Sequence, residues 1–331
     1  MRLDSLLYVF LQTDFFVNDG GFLPSALSDV RVYVAFSVLV LIFVVVIINR
    51  YQTILKLLKE KNDAMKVIKR QNNALKQREA SITDSLIYAQ RIQEARLPSE
   101  EYFRTHFSSS FILYKPRDIV SGDFYWIGEK DGWIYVVAAD CTGHGVSGAL
   151  MSMIGMDIIE KTINEHHITV PSAILTNLNE NLEKIFNREK NLGETIVDGM
   201  DIGLCAINKR EKRLLYSGAF FHMYLCRDGS LKQIRGNKIV IGMNSSKTPF
   251  TDNEVEIEED DILYLCSDGY IDQFGGSDNK KFMARRLRYL LLNIHKFEAK
   301  DQKAILEENF KTWMGINPQV DDMMVIGLKP F

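Results

Sequence analysis

The chain has 331 residues, of which 46% are apolar and 25% charged, with 40 Lys+Arg against 43 Asp+Glu for a formal net charge of −3. That length suits one large domain with appendages or two domains, and the composition is that of a globular protein. Wholesale disorder, a collagen and a multi-span membrane protein are excluded, and the charge makes no case for nucleic-acid binding.

The charge is unevenly spread. Residues 1–50 carry 3 basic and 4 acidic residues, residues 51–98 carry 10 and 5, and residues 99–331 carry 27 and 34. The chain therefore has a basic middle and an acidic C-terminal two-thirds. Cys141, Cys205, Cys226 and Cys266 lack metal-ligand or CxxC spacing, so they read as reduced thiols of a cytosolic domain.

The first predicted element is a transmembrane helix over residues 31–50. Between Arg31 and Arg50 lie 18 uncharged residues, VYVAFSVLVLIFVVVIIN. A spanning helix needs about 20 mostly apolar residues. The run starts too far from Met1, is too long and has the wrong end for a signal peptide. Seven Lys/Arg fall within residues 50–70, against Arg2 and Arg31 on the other flank. Basic flanks stay inside, which predicts a single pass in the cytoplasmic (inner) membrane. Residues 1–30 are then a short extracytoplasmic segment, and everything after residue 50 is cytoplasmic.

Residues 51–98 follow as a helical linker, free of Gly and with Pro only at its end. Alternate steps of four and three from Ile54 meet Leu58, Met65, Ile68, Leu75, Ile82, Leu86 and Ala89, the pattern of an imperfect coiled coil. Asn72 shares a column with Leu58, Met65 and Leu86, where a buried Asn sets the register of a parallel dimer. A homodimer through this stalk is expected, and Pro98 ends the helix.

Residues 99–331 form the last domain. Short β-rich runs alternate with Gly-containing turns: SSFILYKP, DFYWIG, GWIYVVAAD, DIGLCAIN, RLLYSGA, MYLCRDG, IVIGM, DILYLCSD and MMVIGLK. Helices are predicted near Ser147–Glu165, Pro171–Arg188 and Lys281–Met314. Strand runs separated by blocks of helix predict an α+β or layered sandwich. Four motifs place aspartates at strand ends: Ser121-Gly122-Asp123, Asp140-Cys141-Thr142-Gly143-His144-Gly145, Ser267-Asp268-Gly269 and Asp321-Asp322. Aspartates from separate strands converge on hard cations, which prefer oxygen ligands. No His/Cys cluster offers a zinc site.

Taken in this order, the four motifs, together with KPRDIVSGDFYW and DCTGHGVSGALMS, closely resemble the SpoIIE-type protein serine/threonine phosphatases, relatives of the metal-dependent type-2C enzymes. The resemblance covers about residues 99–331. It implies a central β-sandwich flanked by helices, with a two-metal centre holding manganese or magnesium. By the same resemblance, Asp140 bridges the metals, and the Cys141 backbone carbonyl is a further ligand. Asp268 and Asp321 complete the better-held metal. Asp123 serves the second, and Asp322 abuts the site or orients its ligands. Such a pair of ions supplies hydroxide and screens the phosphate, so no phosphocysteine is needed.

The sequence departs from the family at two points. His144 lies four residues after Asp140, where type-2C enzymes have a histidine two residues after, so a turn role is expected for it. Asp201 stands where a hydroxyl residue is common; it either supports a third metal or caps its strand. Lys115 and Arg117 are candidate phosphate contacts or a solvated basic turn, and Phe220-Phe221-His222 is read as core and turn.

The implied function is hydrolysis of phosphoserine or phosphothreonine on a cytosolic signalling protein such as an anti-sigma-factor antagonist, regulated through the stalk. The alternative is a catalytically weak membrane-anchored adaptor of the same fold. A sensor kinase is excluded: residues 51–97 contain no His, and no GxGxxG follows.

Overall fold

The computed structural model describes residues 25–189, 198–243 and 248–331. The expected extracytoplasmic segment therefore lies mostly outside the described residues. Two compact units divide the chain, residues 1–79 and 80–331, and one helix, α1 (Ser25–Arg96), enters both.

In the first unit α1 is apolar over the expected span, with a mean hydropathy of 2.9 over 18 residues. By length and composition it is long and apolar enough to cross a membrane. Leu41 and Phe43 are 64% and 65% exposed, so nothing among the described residues covers this belt. Further along, Ile54, Leu58, Met65, Ile68 and Leu75 are also exposed.

In the second unit two five-stranded antiparallel sheets face each other. One has the order β1 (Ser110–Lys115), β12 (Met323–Leu328), β9 (Ile262–Cys266), β6 (His222–Arg227), β7 (Ser230–Arg235). The other has the order β2 (Phe124–Lys130), β3 (Trp133–Cys141), β4 (Met200–Asn208), β5 (Arg213–Ala219), β8 (Asn253–Glu256), and β10 (Phe274–Gly275) pairs with β11 (Lys280–Lys281) in a separate ribbon. The short helix α2 (Glu100–His106) leads into β1, capped by Ser99, whose Oγ accepts from the Tyr102 amide.

Side-chain alternation explains the layers. On β3, Ile134, Val136 and Ala138 enter the core between the sheets, while Tyr135, Val137, Ala139 and Cys141 enter a second core. That second core is covered by α3 (Val146–Asn164) and α4 (Pro171–Glu189), through Met156, Ile159, Ile174 and Leu178. On the far side, Phe111, Tyr264 and Val325 meet α6 (Ala284–Ile294) and α7 (Ala299–Met314) through Leu287, Leu291, Leu306 and Phe310. The result is four layers, α-β-β-α, as the α+β reading expects.

Several elements differ from the sequence reading. The expected strand IVIGM is no strand: Ile241 makes a single bridge to Met200 and is apolar because it is buried in the core under α3 and α4. The third helical region breaks at His295–Glu298 into α6 and α7. The compact unit begins at Ala80, because the last turns of α1 and the residue after them pack on the sandwich through Gln93 and Leu97. The four cysteines are free thiols.

Candidate active site

The alternation that builds the inter-sheet core also places its terminal rung. Asp123 continues the inward series of Tyr125 and Ile127, and Asp140 that of Val136 and Ala138. Asp201 stands in phase with Cys205 and Ile207, Ser267 with Leu263 and Leu265, and Asp322 with Met324 and Ile326. Apolar side chains fill the sandwich; at this one end they give way to carboxylates. Asp140 and Asp201 are direct partners in the β3–β4 register.

Hydrogen bonds fix this rung. The Ser267 hydroxyl donates to Asp123 Oδ2 at 2.6 Å and accepts from the Met324 amide at 2.9 Å. Both Asp322 oxygens accept backbone amides, Oδ1 from Arg117 and Oδ2 from Gly122, each at 2.7 Å. Asp322 thus buckles the Ser121–Asp123 loop to β12. Asp321 Oδ1 accepts the Asp322 amide at 2.9 Å. At Gly122 a Cβ atom would stand 3.1 Å from the Cys141 carbonyl oxygen, so that oxygen faces the Asp123 loop.

Asp140, Asp201 and Asp268 share a cavity of about 100 Å³ with Phe220, Phe221, His222, Ile271 and Leu287. The turn read from sequence as core and turn is therefore a wall of the site, because β5 ends and β6 begins at the carboxylate end. Phe220 holds a left-handed φ of 47° and is half exposed. The buried His222 Nδ1 has no partner among the described residues.

The profile of the family "Stage II sporulation protein E (SpoIIE)" matches residues 130–330. The chain belongs to the SpoIIE family. Its fold is also that of the SiaA-PP2C domain of Pseudomonas aeruginosa, at 30% identity and a TM-score of 0.69, over 76% of this chain and 98% of that one. The PP2C domain with a regulatory fragment of SpoIIE from Bacillus subtilis matches at 16% identity and a TM-score of 0.53, over 67% and 62% of the two chains. The RsbU and RsbW domains of Rv1364c from Mycobacterium tuberculosis match at 16% identity and a TM-score of 0.52, over 67% and 60%. These last two likenesses bear on the fold alone. No curated protein sequence matches the chain. The domain is a PP2C-type serine/threonine phosphatase domain.

The electrostatics of this SpoIIE-family site suit a divalent cation. Asp123 is fully buried, and its Oδ1 has no partner among the described residues. Burial, then the charges of Asp322, Asp268 and Asp321, hold its carboxyl well above the usual range against the Ser267 hydrogen bond. Burial and the charges of Asp123, Asp268 and Asp321 do the same to Asp140, which also touches Asp268. Asp201 is pushed up to about 6 by burial and by Asp268. Crowded, desolvated carboxylates of this kind call for an external positive charge. Among the described residues no three His, Cys, Asp or Glu side chains form a closed cage; the aspartates stand as separate arms. Burial keeps the Cys141 thiol protonated, in keeping with a chemistry that does not use it.

The basic candidates occupy other partners. Lys115 pairs with Glu307 of α7 at 3.3 Å, and the Arg117 guanidinium donates to the Val320 carbonyl at 3.0 Å, one residue from Asp321. His144 Nδ1 lies 2.9 Å from Asp118 Oδ2. Asp321 is raised by burial, while the Asp322 amide, Arg117 and His144 act in the opposite direction. Asp118 is a partner that no motif announced; its place in the RDIVSGD turn was the only signal.

Proposed function

We propose that the chain is a membrane-anchored phosphatase that requires a divalent cation. It acts on phosphoserine or phosphothreonine of a cytosolic signalling protein, in keeping with the resemblance to enzymes that act on anti-sigma-factor antagonists. The observation that carries the metal requirement is the buried Asp123 Oδ1, without a partner among the described residues, amid Asp140, Asp268 and Asp321.

Asp140, the Cys141 carbonyl, Asp268 and Asp321 would hold one cation and Asp123 and Asp140 the other, with Asp201 a weaker additional arm. Bound manganese or magnesium supplies an activated water and neutralises phosphate charge. The chain's own residues keep these arms in place. Ser267 orients Asp123, Asp322 fixes the loop that carries it, and the sandwich behind excludes water. Phe220 and His222 shape the entrance where the phosphorylated side chain arrives.

The lysine-rich start of the stalk supports a cytoplasmic catalytic domain. The exposed seam of Ile54, Leu58, Met65, Ile68 and Leu75 supports a parallel homodimer. Regulation would pass through the last turns of α1, which hold the Asp123 loop. Two measurements test this reading. Calorimetric titration of the full chain in detergent should show manganese binding that Asp140→Asn weakens. Insertions of one to four residues near Asn72, which rotate the seam, should change turnover; equal turnover in every register would sink the regulatory part.

A further inference from the structure

A larger hollow, of about 780 Å³, lies between α6 and α7 and shares no wall residue with the cavity of the aspartates. Its walls include Arg285, Arg286 and Tyr289 of α6 with Asn309, Thr312 and Trp313 of α7. The Arg286 guanidinium lies 4.2 Å from the centre of the Trp313 ring, which fixes its plane and leaves its N–H edge free for a carboxylate. Neither Arg285 nor Arg286 has a carboxylate partner among the described residues, whereas Lys115, Arg213, Arg227, Lys281, Lys303 and Lys311 all do.

These arginines sit in the first turn of α6, which has no acidic residue, so their charge opposes the helix dipole. Residues 280–288 hold five basic residues and no acidic one, in a domain of net negative charge. Just before the helix, Met283 is 58% exposed at a φ of 75°, a strained conformation for its residue type. Local stability favours none of these choices; a ligand of opposite charge accounts for the unopposed basic residues.

The hollow is coupled in space to the catalytic end. Leu287 of α6 and Ile271 of α5 (Gly269–Asp272) line the aspartate cavity, and the Ile271 carbonyl accepts the Met283 amide at 2.8 Å. Both cavities thus draw wall residues from the same helix, α6.

We propose that the α6–α7 hollow docks an acidic segment, with an apolar side chain laid on Trp313 and Tyr289, of the same phosphorylated protein that the catalytic site dephosphorylates. The inference rests on the phosphatase reading only for the identity of that protein. Because both cavities border α6, a short stretch of extended chain joins the docked segment to the phosphorylated serine.

The test uses the full-length protein in detergent and two fluorescein-labelled 20-residue peptides without phosphate. One carries Glu-Glu-Phe-Glu-Glu, the other Lys-Lys-Phe-Lys-Lys. Anisotropy should show the acidic peptide binding at least about tenfold more tightly, and the double substitution Arg285→Glu/Arg286→Glu should reverse that order. Arg285→Lys/Arg286→Lys should keep it, which separates charge from misfolding. With a phosphoserine added six residues away, the double reversal should raise KM more than it lowers kcat. Equal binding of both peptides, or a preference unchanged in the reversed variant, overturns the proposal. Retained peptide binding without turnover would fault the phosphatase reading and leave the groove standing.

Discussion

Gln93 and Ser121 hold each other by two hydrogen bonds: Gln93 Nε2 donates to the Ser121 carbonyl at 2.6 Å, and the Ser121 amide donates to Gln93 Oε1 at 3.1 Å. Gln93 Nε2 also lies 2.8 Å from Ser152 Oγ on α3, and all three residues are buried. Ser121 Oγ in turn accepts the Asp123 amide at 3.1 Å. One side chain from the last turns of α1 therefore ties together both segments that flank the aspartates.

Replacing Gln93 by Leu leaves a buried amide and a buried carbonyl of Ser121 without partners. A buried group stripped of its partner costs about 1–3 kcal/mol. The cost falls on the loop that carries Asp123. Phosphatase activity should drop about tenfold or more while circular dichroism stays native, and amide exchange should rise at residues 119–123. Unchanged exchange there would show that the contact does not hold the loop.

Gly148 opens the second tie. A Cβ atom there would overlap the Gly143 carbonyl oxygen and stand 2.8 Å from Gly122 Cα. Gly148→Ala should push the Asp140 loop away from the Asp123 loop, at about 1–3 kcal/mol in stability. Turnover should suffer more than the melting temperature, and the two are measured on one preparation.

Chelation should make the domain sensitive to alkali. Asp123, Asp140 and Asp268 are all raised, by burial first and then by other aspartates. Their folded pKa values lie above the unfolded value of about 3.9, so between the two the folded state binds more protons. Stability is then greatest at acid pH and falls as pH rises through that window. In EDTA the melting temperature should fall from about pH 5 to about pH 8, and manganese should restore it. Asp140→Asn should flatten the slope; a melting temperature that climbs with pH would contradict the electrostatic account.

The parts of the fold with strong periodicity were legible. Ile134–Ala139 announced β3, and the aspartates at the ends of β3, β9 and β12 followed from strand ends beside Gly or before an apolar run. Two of the sandwich's four edge strands were not: β7, SLKQIR, and β8, NEVE, are polar and half exposed, so only pairing reveals them, whereas the edge strands β1 and β2 are apolar and were legible. Ile239–Met243 misled in the opposite direction, being apolar because helices cover it. Gln93 fell on the seam column of Asn72, yet it is buried against its own domain. A heptad count cannot tell a partner helix from a sandwich. The Asp118–His144 contact and the shared cavity of His222 and Asp140 join residues far apart in the chain, which no local pattern carries.

The central claim is metal-dependent phosphate release by this aspartate rung. The direct test is turnover of a phosphoserine peptide by the full-length protein in detergent, with manganese or with EDTA, beside Asp140→Asn and Asp268→Asn. The account predicts manganese-dependent release that both substitutions abolish while the domain stays folded. Release that persists in EDTA, or in either variant, would contradict it.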